Sequence, residues 1–121
     1  INPVPKPTIQ SGLAKPFLSI GRPSWEESDY SDNYTFLKEL FSNSYGFSHN
    51  LIIKNTLHLD YTDIPMYSPI IKYVMDVGDL PPVITQDLIN NLTFTFLEVY
   101  LLGKPEKNFK KLLKNSLIYS M

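Results

Sequence analysis

Two short apolar runs separated by a helix-length segment most constrain what this chain can fold into. PFLSIG (16–21) and NLIIKN (50–55) are too short for ordinary helices and carry the β-branched isoleucines that favour buried strands. Between them, NYTFLKELFSN (33–43) repeats apolar residues at helical spacing. A strand, a helix and a second strand in this order usually pair in parallel through a right-handed crossover. The sequence therefore predicts an α/β fold with about two parallel strands and flanking helices.

Most of the chain after the second strand is predicted to be helical. SPIIKYVMD (68–76) has Pro69 in a good first-turn position, followed by apolar residues at helical spacing. TQDLINNLTFTFLEVYLL (85–102) is apolar on more than one side, and Gly103 and Pro105 are expected to end it. This longer helix is therefore expected to be buried on more than one face, with Leu88, Ile89, Leu92, Phe96, Val99 and Leu102 pointing inward.

The two ends of the chain are predicted to differ from its middle. Three prolines in the first seven residues predict an extended lead-in over residues 1–15. Residues 16–104 form the strand, helix, strand unit with its closing helices, and a basic amphipathic tail helix is expected over 105–121, with Phe109 on its apolar face. We expect one domain. A sheet of two parallel strands is rarely stable. We therefore expect that a further strand, not predicted in this sequence, normally pairs with one of its edges.

Composition excludes several classes of function. The formal charge of −1 lacks the basic surplus of nucleic-acid binders, although residues 102–121 hold five lysines against one acid. Cysteine is absent, which excludes disulfides, thiolate metal sites and thiol nucleophiles. No run reaches the roughly 20 apolar residues of a membrane-spanning helix, since Glu98 interrupts the longest apolar stretch.

The stretch LHLDYTD (57–63) contains the main candidate site residue, His58. It lies three residues after the second predicted strand, and the carboxyl ends of parallel strands are where ligands and catalytic groups collect. A lone loop histidine is nevertheless more often solvated or structural than catalytic. The surrounding sequence has to decide between these interpretations.

PFLSIG, the helix after it, NLIIKNTLHLDYTDIP and INNLTFTFLEVYLLGKP together resemble the C-terminal part of an α/β-hydrolase. The subfamily they resemble contains the platelet-activating factor acetylhydrolase-like serine esterases. The resemblance covers roughly residues 14–104, and its most specific part is the histidine loop formed by His58, Tyr61, Thr62, Asp63, Ile64 and Pro65.

This resemblance implies that the intact parent is a carboxylic ester hydrolase acting on an ester or phospholipid. His58 would be the general base that takes a proton from a serine nucleophile and returns it to the leaving group. The implied chemistry uses neither a cofactor nor a metal ion.

The two partners of such a base are not apparent in the sequence. None of the five glycines is spaced to frame a serine in a G-x-S-x-G elbow. The position after the first strand that often holds the acid is Ser24, and residues 1–25 contain no Asp or Glu. We therefore expect both partners to lie upstream of Ile1 and the chain to be an inactive fragment. The alternative is that Glu26, Glu27 or Asp29 orients the imidazole, although a solvated acidic loop explains these residues as well.

Other residues carry weaker functional interpretations. His58, Asp60 and Asp63 form a conceivable hard-metal cluster, but only His49 is available as a further histidine ligand. Asp63 is expected to cap or brace the turn before Pro65 instead. On the long helix, Phe94, Phe96 and Tyr100 either line an acyl-binding surface or, as helical spacing favours, pack in the core.

A function of a different class is also compatible with the sequence. The chain can be an interaction module that binds another chain through an exposed strand edge and apolar helix faces. Under either interpretation, the open edge of PFLSIG offers unpaired amides and carbonyls, so the chain alone is expected to self-associate.

Overall fold

The computed structural model describes residues 4–23 and 31–120, and in it a small mixed sheet separates two groups of helices. Strand β1 (Phe17–Gly21) pairs in parallel with β2 (Ser48–Ile53), in a register that places Phe17 opposite Ser48 and Gly21 opposite Ile52. The predicted parallel pair is thus confirmed, with strand ends within two residues of the expected ones. The architecture is compatible with the α/β class.

The sheet has a third strand that the sequence did not predict. Strand β3 (Ile118–Ser120) pairs antiparallel with β2, placing Ile118 opposite Ile53. The predicted tail helix over 105–121 is therefore wrong beyond its first part, since α5 spans only Lys107–Leu112. The amide of Leu117 binds Oδ1 of Asn115 (2.9 Å) in the turn between them. Pairing with the free edge of β2 buries Ile118, which a longer solvated helix would not achieve.

The lead-in also contains more regular structure than predicted. Helix α1 (Lys6–Ser11) begins after Pro5, and its own proline lies in the first turn, where a missing amide costs nothing. Ile9 is buried, and its carbonyl accepts a hydrogen bond from the side chain of Asn43 (2.9 Å). Gly12 ends the helix with φ of 68°, where any Cβ would collide with the Asn43 carbonyl. The extended lead-in over residues 1–15 is therefore a wrong prediction, because tertiary contacts stabilise this short helix.

Helix α2 (Ser31–Asn43) covers one face of the sheet and confirms the predicted helix over 33–43. The Phe41 ring of α2 lies 5.0 Å from the Phe17 ring of β1, measured between centroids. Tyr34, also in α2, is buried, and its hydroxyl donates to the Arg22 carbonyl (2.6 Å) just past β1. This helix therefore holds the carboxyl end of β1 in place.

Helix α4 (Pro82–Leu102) covers the opposite face together with α5, and it ends at Gly103 as predicted. The core on this side consists of buried side chains from β2, β3, the two helices and the loop before α4: Leu51, Ile53, Leu80, Leu92, Phe96, Val99, Phe109 and Ile118. Leu102 is 71% exposed, so its predicted inward orientation is wrong. Phe94 and Leu101 are exposed as well, which leaves one apolar face of α4 uncovered in this chain.

The helix predicted over residues 68–76 is not formed. A single turn, α3 (Ile64–Tyr67), and a 3₁₀ turn (Ile71–Tyr73) occupy this region instead. Ser68 is extended, as is usual for a residue before proline, and this ends α3. Val74 is 74% exposed, so the apolar face that would stabilise a helix has no surface to pack against.

The open edge of β1 leads to a prediction about the chain alone. Within the described residues β1 pairs only with β2, so we expect the 121-residue chain to form dimers or larger species as its concentration rises. Sedimentation velocity over a wide concentration range measures this. A chain that stays monomeric throughout would contradict the prediction. If the double variant Phe94→Lys, Leu101→Lys abolishes association, the exposed face of α4, and not the strand edge, is the contact.

Candidate functional site

His58 opens a 3₁₀ turn, His58–Tyr61, that follows the carboxyl end of β2. We call this element the histidine turn. The side chain of His58 is exposed, whereas Asp60 in the same turn is buried. The turn lies beside the carboxyl end of β1, because its Tyr61 contacts Gly21 there. The structure thus places His58 at the edge of the sheet where the sequence predicted it.

Two aspartates satisfy the amide groups that open the histidine turn. The first amides of a helical turn have no partners within it and must find acceptors elsewhere. The Leu57 amide donates to Oδ2 of Asp60 (2.7 Å), and the His58 amide donates to Oδ2 of Asp76 (3.4 Å). The Leu59 amide donates to the backbone carbonyl of Asp76 (3.1 Å). The backbone on both sides of the candidate base is therefore fixed by hydrogen bonds.

Asp60 is a clamp within the fold. The residue is only 1% exposed, and its Oδ2 accepts a second hydrogen bond, from the Gly78 amide, also at 2.7 Å. Hydrogen bonds to a carboxylate are about twice as strong as those between neutral groups. Asp60 therefore joins the histidine turn to the loop that leads into α4.

Tyr61 joins the same turn to β1. Its hydroxyl donates to the Gly21 carbonyl (2.6 Å) and lies 3.0 Å from the hydroxyl of Thr56. The pKa of Tyr61 is raised to about 12, mainly by burial; the hydrogen bond with Thr56 opposes this shift, and the neighbouring Asp60 carboxylate adds to it. The hydroxyl thus keeps its proton over the physiological range and remains a hydrogen-bond donor.

A cavity of about 290 Å³ lies beside His58. It is lined by residues from the end of β1 and from the histidine turn: Ile20, Gly21, Arg22, His58, Tyr61 and Thr62. Its walls are mainly apolar, apart from the guanidinium and imidazole groups. Such a cavity can hold a small apolar group next to an exposed imidazole, which is a suitable arrangement for proton transfer.

The described residues do not provide an orienting acid for the imidazole. No residue of this part of the chain forms a hydrogen bond with the His58 ring. The Asp76 carboxylate contacts the backbone amide of His58 but not its ring. Glu26, Glu27 and Asp29, the alternative acids, lie outside the residues that the structure describes. Their predicted role stays a prediction.

The role predicted for Asp63 is wrong. Its side chain is exposed and forms no capping hydrogen bond, although the residue precedes α3. The bracing comes from Thr62, whose hydroxyl donates to the Leu59 carbonyl (2.7 Å) and accepts from the Ile64 amide (3.2 Å). The Thr62 carbonyl in turn accepts a hydrogen bond from Gln86 of α4 (3.0 Å).

His49 lies at the other end of β2, among aromatic side chains. Its Nε2 is 3.2 Å from the Tyr100 hydroxyl, and its ring is 4.8 Å from that of Phe109. Burial lowers the pKa of His49 from its ordinary 6.5, an effect that Glu106 opposes and Lys110 reinforces. No group of three His, Asp or Glu side chains within the described ranges is arranged to hold a metal ion.

The aromatic residues of α4 divide between core and surface. Phe96 is buried, and its ring lies 4.7 Å from that of Tyr100, so these two side chains pack in the interior. Phe94 is 64% exposed on the opposite face. The core interpretation thus holds for Phe96 and Tyr100 but not for Phe94.

Sequence reasoning missed two charged residues of the site. Arg22 directly follows β1, and its side chain is only 12% exposed. Its Nη1 lies 3.3 Å from Oδ2 of Asp76, the oxygen that also accepts from the His58 amide. Asp76 is 18 residues from His58, and no local pattern connects the two residues.

Comparison with known proteins gives no family assignment. No protein-family model matches the chain. No curated protein gives a significant match either. Among the described helices, none combines the length and apolarity needed to cross a membrane.

Asp60 and Asp63, which lie three residues apart in the same loop, give a matched test of the Asp60 clamp. Asp60→Ala leaves the buried amides of Leu57 and Gly78 without their acceptor, so we expect a loss of about 3 kcal/mol in the free energy of unfolding. Asp63→Ala removes an exposed carboxylate without such contacts and should change it by less than about 0.5 kcal/mol. Urea unfolding measures both. Equal midpoints for the two variants would contradict the clamp.

His49 leads to a prediction about pH. Because its pKa is lower in the folded chain than in the unfolded chain, the unfolded state binds the proton more readily. The contribution of neutral His49 to stability is therefore complete above its unfolded pKa of 6.5 and is lost as the pH falls through the lower folded pKa. In His49→Gln, which keeps a hydrogen-bond partner for Tyr100, the free energy of unfolding should fall less at acidic pH than it does in the wild type. Urea midpoints of the wild type and of His49→Gln, measured from neutral to mildly acidic pH, test this prediction. Parallel curves of midpoint against pH for the two proteins would contradict it.

Proposed function

We propose that this chain is part of a serine ester hydrolase and supplies its catalytic histidine, with His58 as the general base. The substrate is a carboxylic ester or a phospholipid acyl ester, as the resemblance of the histidine loop to acetylhydrolase-like esterases implies. The observation that most supports this role is the position of His58, exposed beside an apolar-walled cavity at the carboxyl ends of two parallel strands.

The rigidity of the histidine turn supports the same role. A general base has to be held within hydrogen-bond distance of the proton that it removes. Here the backbone on either side of His58 is fixed by Asp60, Asp76 and Tyr61, while the imidazole itself stays accessible.

The proposed reaction is acyl transfer in two steps. In the first, a serine oxygen attacks the ester carbonyl while His58 accepts the serine proton, and the proton then goes to the departing alcohol oxygen as the carbon–oxygen bond breaks. In the second, a water molecule loses a proton to His58 as its oxygen attacks the acyl carbon; the bond from that carbon to the serine oxygen then breaks, His58 gives the proton to the serine oxygen, and the carboxylic acid leaves. His58 therefore accepts and donates one proton in each step.

The serine lies outside these 121 residues in this proposal, because the chain contains no G-x-S-x-G elbow. The orienting acid also lies outside the described residues. The chain alone is therefore inactive, and activity belongs to the protein that unites the three groups.

One observation is also expected under the alternative function, a non-catalytic module that binds another chain. Phe94 and Leu101 are 64% and 74% exposed along one face of α4, and Leu97 between them is 43% exposed. Exposed apolar residues at this spacing are typical of a surface that packs against a partner. The rest of an α/β-hydrolase domain would also cover such a face, so this observation is compatible with both functions.

The discriminating experiment uses the complete protein encoded by the reading frame that contains this chain. Hydrolysis of p-nitrophenyl acetate by this protein should fall at least about 10³-fold on His58→Ala, because removing the base leaves the serine unactivated. The matched control is His49→Gln, which changes the other histidine, far from the cavity, and should retain activity.

The outcomes separate the two functions. Loss of turnover in His58→Ala with an unchanged urea midpoint supports the esterase. A complete protein that never hydrolyses the ester, or an active His58→Ala variant, removes His58 from catalysis and leaves the interaction module.

A further inference from the structure

We infer that Asp76 is a positioning residue for His58, holding the base against the end of β1 through its carboxylate. This inference rests on the proposed function and adds to it a residue from a different part of the chain. Asp76 belongs to the loop between the 3₁₀ turn Ile71–Tyr73 and α4. Neither the histidine loop nor the strand motifs include it.

The Asp76 carboxylate connects two groups that border the same cavity. Its Oδ2 lies 3.3 Å from Nη1 of Arg22 and 3.4 Å from the backbone amide of His58. Arg22 and His58 both line the cavity of about 290 Å³. One oxygen atom therefore bridges the residue after β1 and the backbone of the candidate base, beside the hydrogen bond from Tyr61 to Gly21.

The backbone of Asp76 reinforces this connection. Its carbonyl accepts the Leu59 amide at 3.1 Å, so Asp76 satisfies two consecutive amides of the histidine turn. These are the amides that a short helical turn cannot satisfy internally. A rotation of the turn that moved the imidazole would break both hydrogen bonds.

Asp60 and Asp76 differ in what their removal should change. Asp60 is buried, so its loss is expected to lower stability. The side chain of Asp76 is 56% exposed, although that of its partner Arg22 is only 12% exposed, so loss of this ion pair is expected to cost less stability than loss of the buried Asp60 carboxylate. An effect of the Asp76 carboxylate on turnover can therefore be measured without unfolding the protein.

A carboxylate from a distant part of the chain reaches the end of β1. The sequence has no carboxylate close behind that strand before Glu26. Asp76 brings one to the strand end from 54 residues further along the chain, where it pairs with Arg22. This carboxylate contacts the amide of the base and not its ring, so its effect on catalysis is indirect.

The test uses the complete protein and p-nitrophenyl acetate. Asp76→Ala should lower kcat about tenfold while KM changes less than about twofold, because a displaced base slows proton transfer without altering binding. The urea midpoint should fall by less than that of Asp60→Ala, because Asp76 is the exposed partner of its ion pair. Asp76→Glu, which restores a carboxylate, should recover most of the kcat. The matched control, Asp79→Ala, removes an exposed carboxylate three residues away and should have the wild-type kcat.

Failure of this inference and failure of the proposed function give different results. If His58→Ala is inactive but Asp76→Ala keeps a wild-type kcat, or changes KM alone, Asp76 does not position the base. If Asp79→Ala loses as much kcat as Asp76→Ala, the effect belongs to the loop and not to this carboxylate, and the inference is wrong. If His58→Ala itself remains active, the proposed function fails, and the positioning role fails with it.

Discussion

Burial of β2 on both faces is the constraint on which the rest of the structure depends. Leu51, Ile52 and Ile53 are each 0% exposed, and full burial of such a side chain contributes about 1.5–3 kcal/mol. Leu51 and Ile53 contact the α4 side, whereas Ile52 approaches Gly21 and lies on the α2 side. Since the strand is fixed by three consecutive side chains, the residues that follow it leave the sheet at a fixed point, which determines where His58 lies.

The two ends of β2 have opposite chemical character. At its amino end, His49 is packed among aromatic rings, and burial lowers its pKa, so this histidine serves the core. At its carboxyl end, the backbone amides of the histidine turn bind carboxylates, and His58 remains exposed. Burial and surroundings, and not residue type, therefore separate a structural histidine from a candidate catalytic one in the same chain.

The sequence predicted the elements that local patterns of apolar residues indicate. Strands β1 and β2 and helices α2 and α4 carry apolar residues at regular spacing, and their positions follow from it. Strand β3 and helix α1 depend on distant partners, namely the free edge of β2 and the side chain of Asn43, which no local pattern reveals. The helix predicted over 68–76 had the right spacing but no surface to pack against.

The candidate site divides in the same way. His58 could be predicted as a candidate site residue from local sequence, because it follows a predicted strand and lies in a loop that resembles the histidine loop of the acetylhydrolase-like esterases. Asp60 was visible in the same loop, but its burial was not, and Asp76 acts from 18 residues away through a backbone amide that sequence patterns do not describe. Any carboxylate at the right distance can satisfy an amide, so sequence alone does not indicate which one does.

The two aspartates give the histidine turn two kinds of support with different physical consequences. Asp60 acts inside the protein, where low dielectric strengthens its hydrogen bonds and where an unpaired amide is costly. Asp76 acts at the surface, where water competes for the same groups and weakens the pairing with Arg22. The turn as a whole is therefore held by the buried carboxylate, while the exposed carboxylate and the hydrogen bond from Tyr61 to Gly21 link it to the end of β1. The candidate site thus combines a contact whose loss should mainly lower stability with one whose loss should mainly affect the position of the His58 backbone.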